Sequence, residues 1–294
     1  MHIFRTFLPY YKKLLKKMSK GKGYGKKKPI KIVLKILDKV FRARIVDVHG
    51  HKMILPKKGF NEYSTFGIYG EFDTMTVEKY VKKGDYVVDV GAAIGYYTLI
   101  LARAVGHEGK VFAFEPKKDR FDLLKNNIEI NSYKNVVLEN KAILTTEDKN
   151  MFFSKSSKGG LKLIKTKTKD DKFETVSDIE FVDLDTYFAQ INLQKQISFM
   201  KIDVDGPELL VLKSASNILK NNDLKILLEW DIDSSKRTAC EPSQIVEVLE
   251  HNGFMIYYPE YSANQYRLVQ GDEIVNLRSN NVINIFCTKS KIST

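Results

Sequence analysis

Cysteine is nearly missing from this chain. Cys240 and Cys287 are the only two among 294 residues, and two thiols so far apart in sequence make neither a disulfide framework nor a cysteine-based metal site. A reducing, cytoplasmic setting is expected. Long apolar runs are missing too: no stretch approaches the roughly 20 residues that cross a bilayer. The opening MHIFRTFLPYYKKLLKKMSK lacks the apolar centre and small-residue cleavage site of a secretory signal, so no recognisable export route is expected. Acidic residues are scarce at one end only. Residues 1–58 hold 18 Lys and Arg against two Asp, whereas the remainder carries 30 against 34. The net charge of +12 therefore belongs to an extension, which would meet an anionic partner by itself. An apolar content of 43% is enough for a full core and excludes a disordered chain.

That extension reads as two basic amphipathic helices. Phe4, Phe7, Leu8, Tyr11, Leu14, Leu15 and Met18 fall at helical spacing opposite Lys12, Lys13, Lys16, Lys17 and Lys20, and a second apolar stripe runs from Ile30 to Phe41. Their apolar faces either dock on the main domain or lie on an anionic membrane, the latter making the protein peripheral at the inner face. The domain boundary is expected near residue 45, with a hairpin or lid segment over 45–75 and the core over 76–294. Val46, Val48, Met53 and Leu55 alternate around His49-Gly50, which predicts the hairpin and makes His49 and His51 solvated turn residues. Beyond residue 75, strands are expected near 86–90, 111–114, 135–138, 197–202, 224–228, 253–258 and 282–287. Helices are expected near 95–105, 117–131, 207–220 and 242–252. The alternation predicts an open, mostly parallel, doubly wound sheet with helices on both faces. The polar, basic stretch 154–172 reads as a long exposed loop. FNEYSTFGIYGEF, that loop and MIYYPEYSANQYRL are expected to shape an acceptor pocket.

The first strand ends at YVVDVGAAIGYY. Its D-x-G-x-x-x-G spacing departs from the G-x-G-x-x-G pyrophosphate fingerprint, which favours a nucleotide without a pyrophosphate. S-adenosylmethionine is one such nucleotide. Gly91, Ala92 and Gly95 shape the loop, and Asp89 is placed to orient the cofactor's ammonium. Glu115 ends the second strand, where a carboxylate can accept from both ribose hydroxyls. The third strand runs into Glu139-Asn140-Lys141-Ala142, where Asn140 and the backbone can read an adenine edge. Ordinary strand-end turns of some other doubly wound protein are the plain alternative.

Taken together, VHGHKMILPKKG, GIYGEFDT, DVGAAIGYYT, FAFEPKKDRFDLLKNNIEIN, FVDLDTYF, KIDVDGPELLVLKSA and ILLEW resemble the FkbM family of S-adenosylmethionine-dependent methyltransferases over about residues 45–290. The resemblance implies a Rossmann-like class I methyltransferase fold and O-methylation of a hydroxyl on a sugar, glycolipid or other small acceptor. It implies cofactor positions at Asp89, Gly91, Gly95, Tyr96, Glu115 and Ala142, with Glu71 matching an acidic position. Ala93 stands where the family usually has Asn, and Asp205 where it usually has Glu.

KIDVDGPE closes the fourth strand. Asp203 lies at the C-terminal mouth of the sheet, either holding the acceptor hydroxyl or taking its proton, or else positioning the cofactor. Lys201, two residues earlier on the same face, is expected to pair with it, which suits Asp203 to accepting hydrogen bonds. Glu229, ending the next strand, is expected to complete an acidic pocket. Asp205 is a substrate contact or an N-cap, and Glu208 a substrate contact or a first-turn carboxylate that only stabilises its helix. Such a pocket could take Mg²⁺, but the spacing matches no recognised metal site and none is assigned. RNA methylation is the rival activity, disfavoured because the [ND]-P-P-[YFW] motif is missing and the basic residues are not interleaved with aromatics. A non-catalytic binding module is the third reading.

Overall fold

The protein was analysed as a computed structural model, which describes residues 45–56, 70–145, 152–155, 161–164, 179–238, 240–276 and 282–292. The predicted basic helices within 1–44 and most of FNEYSTFGIYGEF lie outside the described residues. The chain forms two compact units, 1–71 and 72–294. In the first, β1 (Ile45–Val48) and β2 (His51–Ile54) pair antiparallel across His49-Gly50, as their alternation predicts. His51 is not a solvated turn residue: it lies in β2 on the same side as Met53, and both are buried.

The second unit is built on an eight-stranded sheet. In chain order its elements are α1 (Glu71–Tyr80), β3 (Tyr86–Val90), α2 (Tyr96–Val105), β4 (Lys110–Phe114), α3 (Lys118–Ile130), β5 (Val136–Glu139), β6 (Lys141–Ile143), β7 (Phe152–Lys155), β8 (Leu161–Ile164) and β9 (Glu180–Val182). They continue with α4 (Leu184–Gln190), β10 (Ile197–Ile202), α5 (Glu208–Lys213), β11 (Lys225–Trp230), α6 (Ile232–Arg237), α7 (Pro242–His251), β12 (Met255–Glu260), β13 (Gln265–Val269), α8 (Gly271–Asn276) and β14 (Ile283–Thr288). Across the sheet the order is β5, β4, β3, β10, β11, β14, β12, β13. The five strands from β5 to β11 are parallel, while β14, β12 and β13 each run antiparallel to their neighbours. Parallel strands are buried on both faces, which is why YVVDV, KVFAF and ISFMKI read as nearly continuous apolar runs.

Side-chain alternation sorts the two faces. Val88, Val90, Phe112, Phe114, Met200, Ile202 and Leu228 pack with α4, α5 and α7 in one large core. The alternate positions, among them Asp89, Lys201 and Phe286, face α1 and α2: Thr98 of α2 bonds Asp89, and Tyr80 of α1 stacks on Phe286 at 4.6 Å. The chain winds outward from β3 through β4 to β5, then returns to β10 and winds the other way. The switch point therefore lies between β3 and β10, and a crevice opens beyond their C-terminal ends.

Three expectations change. Part of the stretch 154–172 forms a hairpin, since β7 and β8 pair antiparallel. The helix expected over 207–220 is α5 followed by a separate 3₁₀ turn at Ile218–Lys220. MIYYPEYSANQYRL continues past the strand expected at 253–258 into a second strand, forming the β12–β13 hairpin at the edge of the sheet, where Tyr and Val supply strand propensity. No described helix is long and apolar enough to cross a membrane.

The packing of α2 on α3 aims the β3 loop. Gly95 has φ +95°, and a Cβ there would come within 2.7 Å of Leu124 Cδ1. Leu124 itself is fully buried. Leu124→Ala is expected to lower unfolding stability by about 3 kcal/mol, read from the urea midpoint at unchanged slope.

Candidate active site

A pocket open at its mouth lies beyond the strand ends. Its walls are Val90 ending β3 and Gly91 after it, Phe114 ending β4 and Glu115 to Lys117 after it, Arg120 of α3, Lys141 to Ile143 of β6 with Leu144, and Asp203, Val204, Asp205 and Pro207 after β10. Gly91 and Asp203 meet in its wall. Gly91 has φ +83°, and a Cβ there would stand 1.9 Å from the Asp203 carbonyl oxygen. The glycine is thus required first by the neighbouring strand's backbone, and only after that is its own backbone open to a ligand. The Gly91 and Ala92 amides both donate to Phe114 O at 3.0 Å, and the Asp203 amide donates to Val90 O at 3.0 Å. These bonds lock the three strand-end loops together.

Glu115 is the carboxylate of the β4 side. It is 3% exposed, and its oxygens accept from the Ala93 amide at 2.9 Å and the Lys117 amide at 2.8 Å. Burial pushes it up to about 7, against the pull of Arg120 and of those two amides. Ala93 adopts φ +50° to present its amide, a conformation costing a non-glycine residue about 1 kcal/mol that Asn tolerates better. The departure from the family's usual Asn thus removes a residue suited to that backbone. Asp205 likewise lies at φ +62°, where a short Asp is better tolerated than a Glu.

Several expected positions serve the scaffold. Asp89 precedes the last residue of β3 and is buried beneath the loop; Thr98 Oγ1 donates to its Oδ2 at 2.5 Å. It does not line the pocket, and burial lifts it to about 6. The Asn140 amide donates to the carbonyls of Glu115 and Pro116, at 2.8 and 3.0 Å, so its donor is spent on the β4 loop rather than on a base edge. Tyr96 hydrogen bonds Thr74 at 2.9 Å, away from the pocket. Ala142 lines the pocket. Glu71 is the exposed first residue of α1 and does not line the pocket.

The β10 side carries the charges. Lys201 is fully buried, and its ammonium donates to Asp203 Oδ2 at 3.2 Å, Asn284 Oδ1 at 3.0 Å and Ile202 O at 3.3 Å, with the Tyr97 ring 5.3 Å away. The expected Lys201–Asp203 pair is present, and Asp203 keeps 36% of its side chain exposed to the pocket. Glu208 is turned back on its own loop, accepting from the Gly206 amide at 2.9 Å. The same loop is braced where Thr238 donates to Gly206 O at 2.8 Å. Glu208 is 1% exposed and lifted to about 7 by burial, so it is closed off from solvent and braces the loop with one oxygen. Glu229 is held well above the usual range by burial and then by Asp203 and Glu208, with Lys201 opposing. These carboxylates are neighbours, yet among the described residues no group of three or more His, Cys, Asp or Glu is arranged to hold a metal ion.

Sequence reasoning missed Lys117, Arg120 and Lys141 as pocket residues, although EPKKDR and ENKA follow strand ends already singled out. It also missed Asn284 and Asp73. Asn284 Nδ2 donates to Asp73 Oδ2 at 2.8 Å, and burial raises Asp73 to about 6. Nothing local marks Asn284; only its antiparallel pairing opposite Glu229 brings it here.

Asp73, Asp89, Glu115 and Glu208 all hold their protons to higher pH in the fold than in the unfolded chain. Their favourable contribution is complete near pH 4 and is lost as pH rises through 6 to 7, because above that range the native state must bury charge. The cofactor-free protein is therefore expected to melt higher at pH 5.5 than at pH 8. A melting temperature that falls on acidification between those values would contradict this.

The family model for the methyltransferase FkbM domain matches residues 89–267, and that for protein-L-isoaspartate(D-aspartate) O-methyltransferase matches residues 20–142. No curated protein matches the chain. Among solved structures it is similar to a putative rRNA-methylase from Clostridium thermocellum, with 14% identity over 75% of this chain and 95% of that one and a TM-score of 0.45. It is similar to an S-adenosylmethionine-dependent O-methyltransferase from Thermotoga maritima, with 17% identity over 88% and 83% and a TM-score of 0.43. It is also similar to a methyltransferase FkbM from Methylobacillus flagellatus KT, with 14% identity over 69% and 43% and a TM-score of 0.41. Because the first match covers more than half of the chain, from the β3 carboxylate into β13, the protein belongs to the FkbM family of S-adenosylmethionine-dependent methyltransferases, with their Rossmann-like class I fold.

Proposed function

We propose that this methyltransferase O-methylates a hydroxyl on a sugar, glycolipid or other small hydroxylated acceptor. The observation that carries the reading is Asp203: one oxygen is tied to a buried ammonium while the carboxylate still faces the pocket. That arrangement suits accepting a hydrogen bond from an acceptor hydroxyl and aligning its oxygen.

The residues present fit the cofactor. Glu115 offers a carboxylate to a pair of ribose hydroxyls, Ala142, Ile143 and Leu144 offer an apolar wall to adenine, and the Gly91 backbone with Asp203 borders the space for the amino-acid part. When bound, S-adenosylmethionine supplies both the electrophilic methyl group and its leaving group. The chain has to bind, align and exclude water.

Titration calorimetry with S-adenosylmethionine is expected to show binding that weakens at least about tenfold in Glu115→Ala, the worth of a charge-assisted hydrogen bond. Asp203→Ala is expected to retain cofactor binding while methyl transfer falls about 100-fold or more. Acceptor class is read by incubating full-length protein with methyl-labelled cofactor and separated glycan, glycolipid, RNA and protein pools. Label in RNA alone would overturn the hydroxyl-acceptor reading.

We further propose that residues 1–44 bring the enzyme to anionic membrane, on the strength of the lysines interleaved with Phe4, Phe7, Leu14 and Met18. The full chain is expected to float with phosphatidylglycerol vesicles. A variant with Lys12, Lys13, Lys16 and Lys17 changed to Gln is expected to stay behind, and equal flotation of the two would rule the idea out.

A further inference from the structure

Lys201 has three N–H donors, no exposure, and three protein acceptors: Asp203 Oδ2, Ile202 O and Asn284 Oδ1. With no solvent to substitute, the direction of the ammonium is set by those acceptors. Two belong to β10 and its own end. The third comes from β14, which inserts antiparallel beside β11 and places Asn284 opposite Glu229. Asn284 is in turn oriented from behind, because its Nδ2 donates to Asp73 Oδ2 at 2.8 Å while its Oδ1 meets Lys201 at 3.0 Å. A side-chain amide can accept from a cation and donate to a carboxylate at once. A carboxyl at this position could meet Asp73 only by sharing a proton with it, which changes the charge standing beside Lys201.

We propose that Asn284, oriented by Asp73, is a positioning residue of the methyl-transfer site: it supplies the acceptor that aims the Lys201 ammonium and thereby sets where Lys201 holds Asp203. The proposal rests on the reading of Asp203 as the group that aligns the acceptor. Neither residue lines the pocket, so both act through Lys201.

The test is a reciprocal exchange in the full-length protein. Asn284→Asp alone leaves two carboxyls that must share one proton or repel; combined with Asp73→Asn it restores one amide and one carboxylate with the donor on the other side. The Lys201 ammonium is followed by ¹⁵N-lysine NMR, its signal assigned by its loss in Lys201→Arg. Asn284→Asp is expected to move that signal and to lower labelled methyl transfer about 100-fold, as a small displacement of an aligning group does, with calorimetric affinity for S-adenosylmethionine kept within about twofold. The double variant is expected to recover both signal and transfer. Asp73→Ala removes a buried carboxylate and leaves the Asn284 amide unoriented, so it reports the same displacement if Asn284→Asp does not fold. An unmoved Lys201 signal in the folded single variants, or a double variant no better than Asn284→Asp, would overturn the proposal. Failure of the wild type to bind S-adenosylmethionine would instead sink the functional reading, leaving the NMR comparison to decide the positioning by itself.

Discussion

Burying the Lys201 ammonium in the middle of an eight-stranded sheet carries a desolvation cost of several kcal/mol, and the surrounding groups are placed to offset it. Asp203 neutralises it from the pocket side, Asn284 and the Ile202 carbonyl complete its hydrogen bonds, and Asp89 is its register partner in β3. Strand alternation makes this possible. Lys201, Asp89 and Asn284 share the face covered by α1 and α2, whereas the opposite face of the same strands is apolar and belongs to the main core. One strand thus serves packing and charge at alternate residues.

The switch point turns that buried charge into a site. Because β3 and β10 are adjacent but feed connections in opposite directions, their end loops diverge and leave a crevice. Gly91 lets the β3 loop pass against the Asp203 carbonyl, which brings open backbone and a carboxylate within one small volume. Glu115 on one wall and Asp203 on the other are then fixed by different means: Glu115 by main-chain amides, Asp203 by an ammonium. The first suits a carboxylate that receives hydroxyl donors, and the second suits one whose second oxygen stays available.

Much of the sheet was legible because its strands are buried on both faces and so are apolar throughout. The parallel strands lie within two residues of their expected positions. Elements with a weaker pattern escaped. The α4, α6 and α8 helices span only six or seven residues, too short for a periodic signal, and β13 was hidden in a tyrosine-rich stretch that reads equally well as loop. At the site, chemistry at strand ends was legible as residue types, but the use of each side chain was not. The Asn140 amide and one Glu208 oxygen, which have the right chemistry to meet a ligand, are engaged by neighbouring backbone.

The sequence alone determined the alternating architecture, the glycine loop, Glu115 and the Lys201–Asp203 pair, since each rests on period, on local turn chemistry or on two residues sharing a strand face. Tertiary structure alone decided that Asn284 and Asp73 stand behind Lys201. Those contacts join positions 83 and 211 residues apart, and they exist only because β14 enters the sheet antiparallel and α1 covers that face. Nothing within either segment encodes its partner.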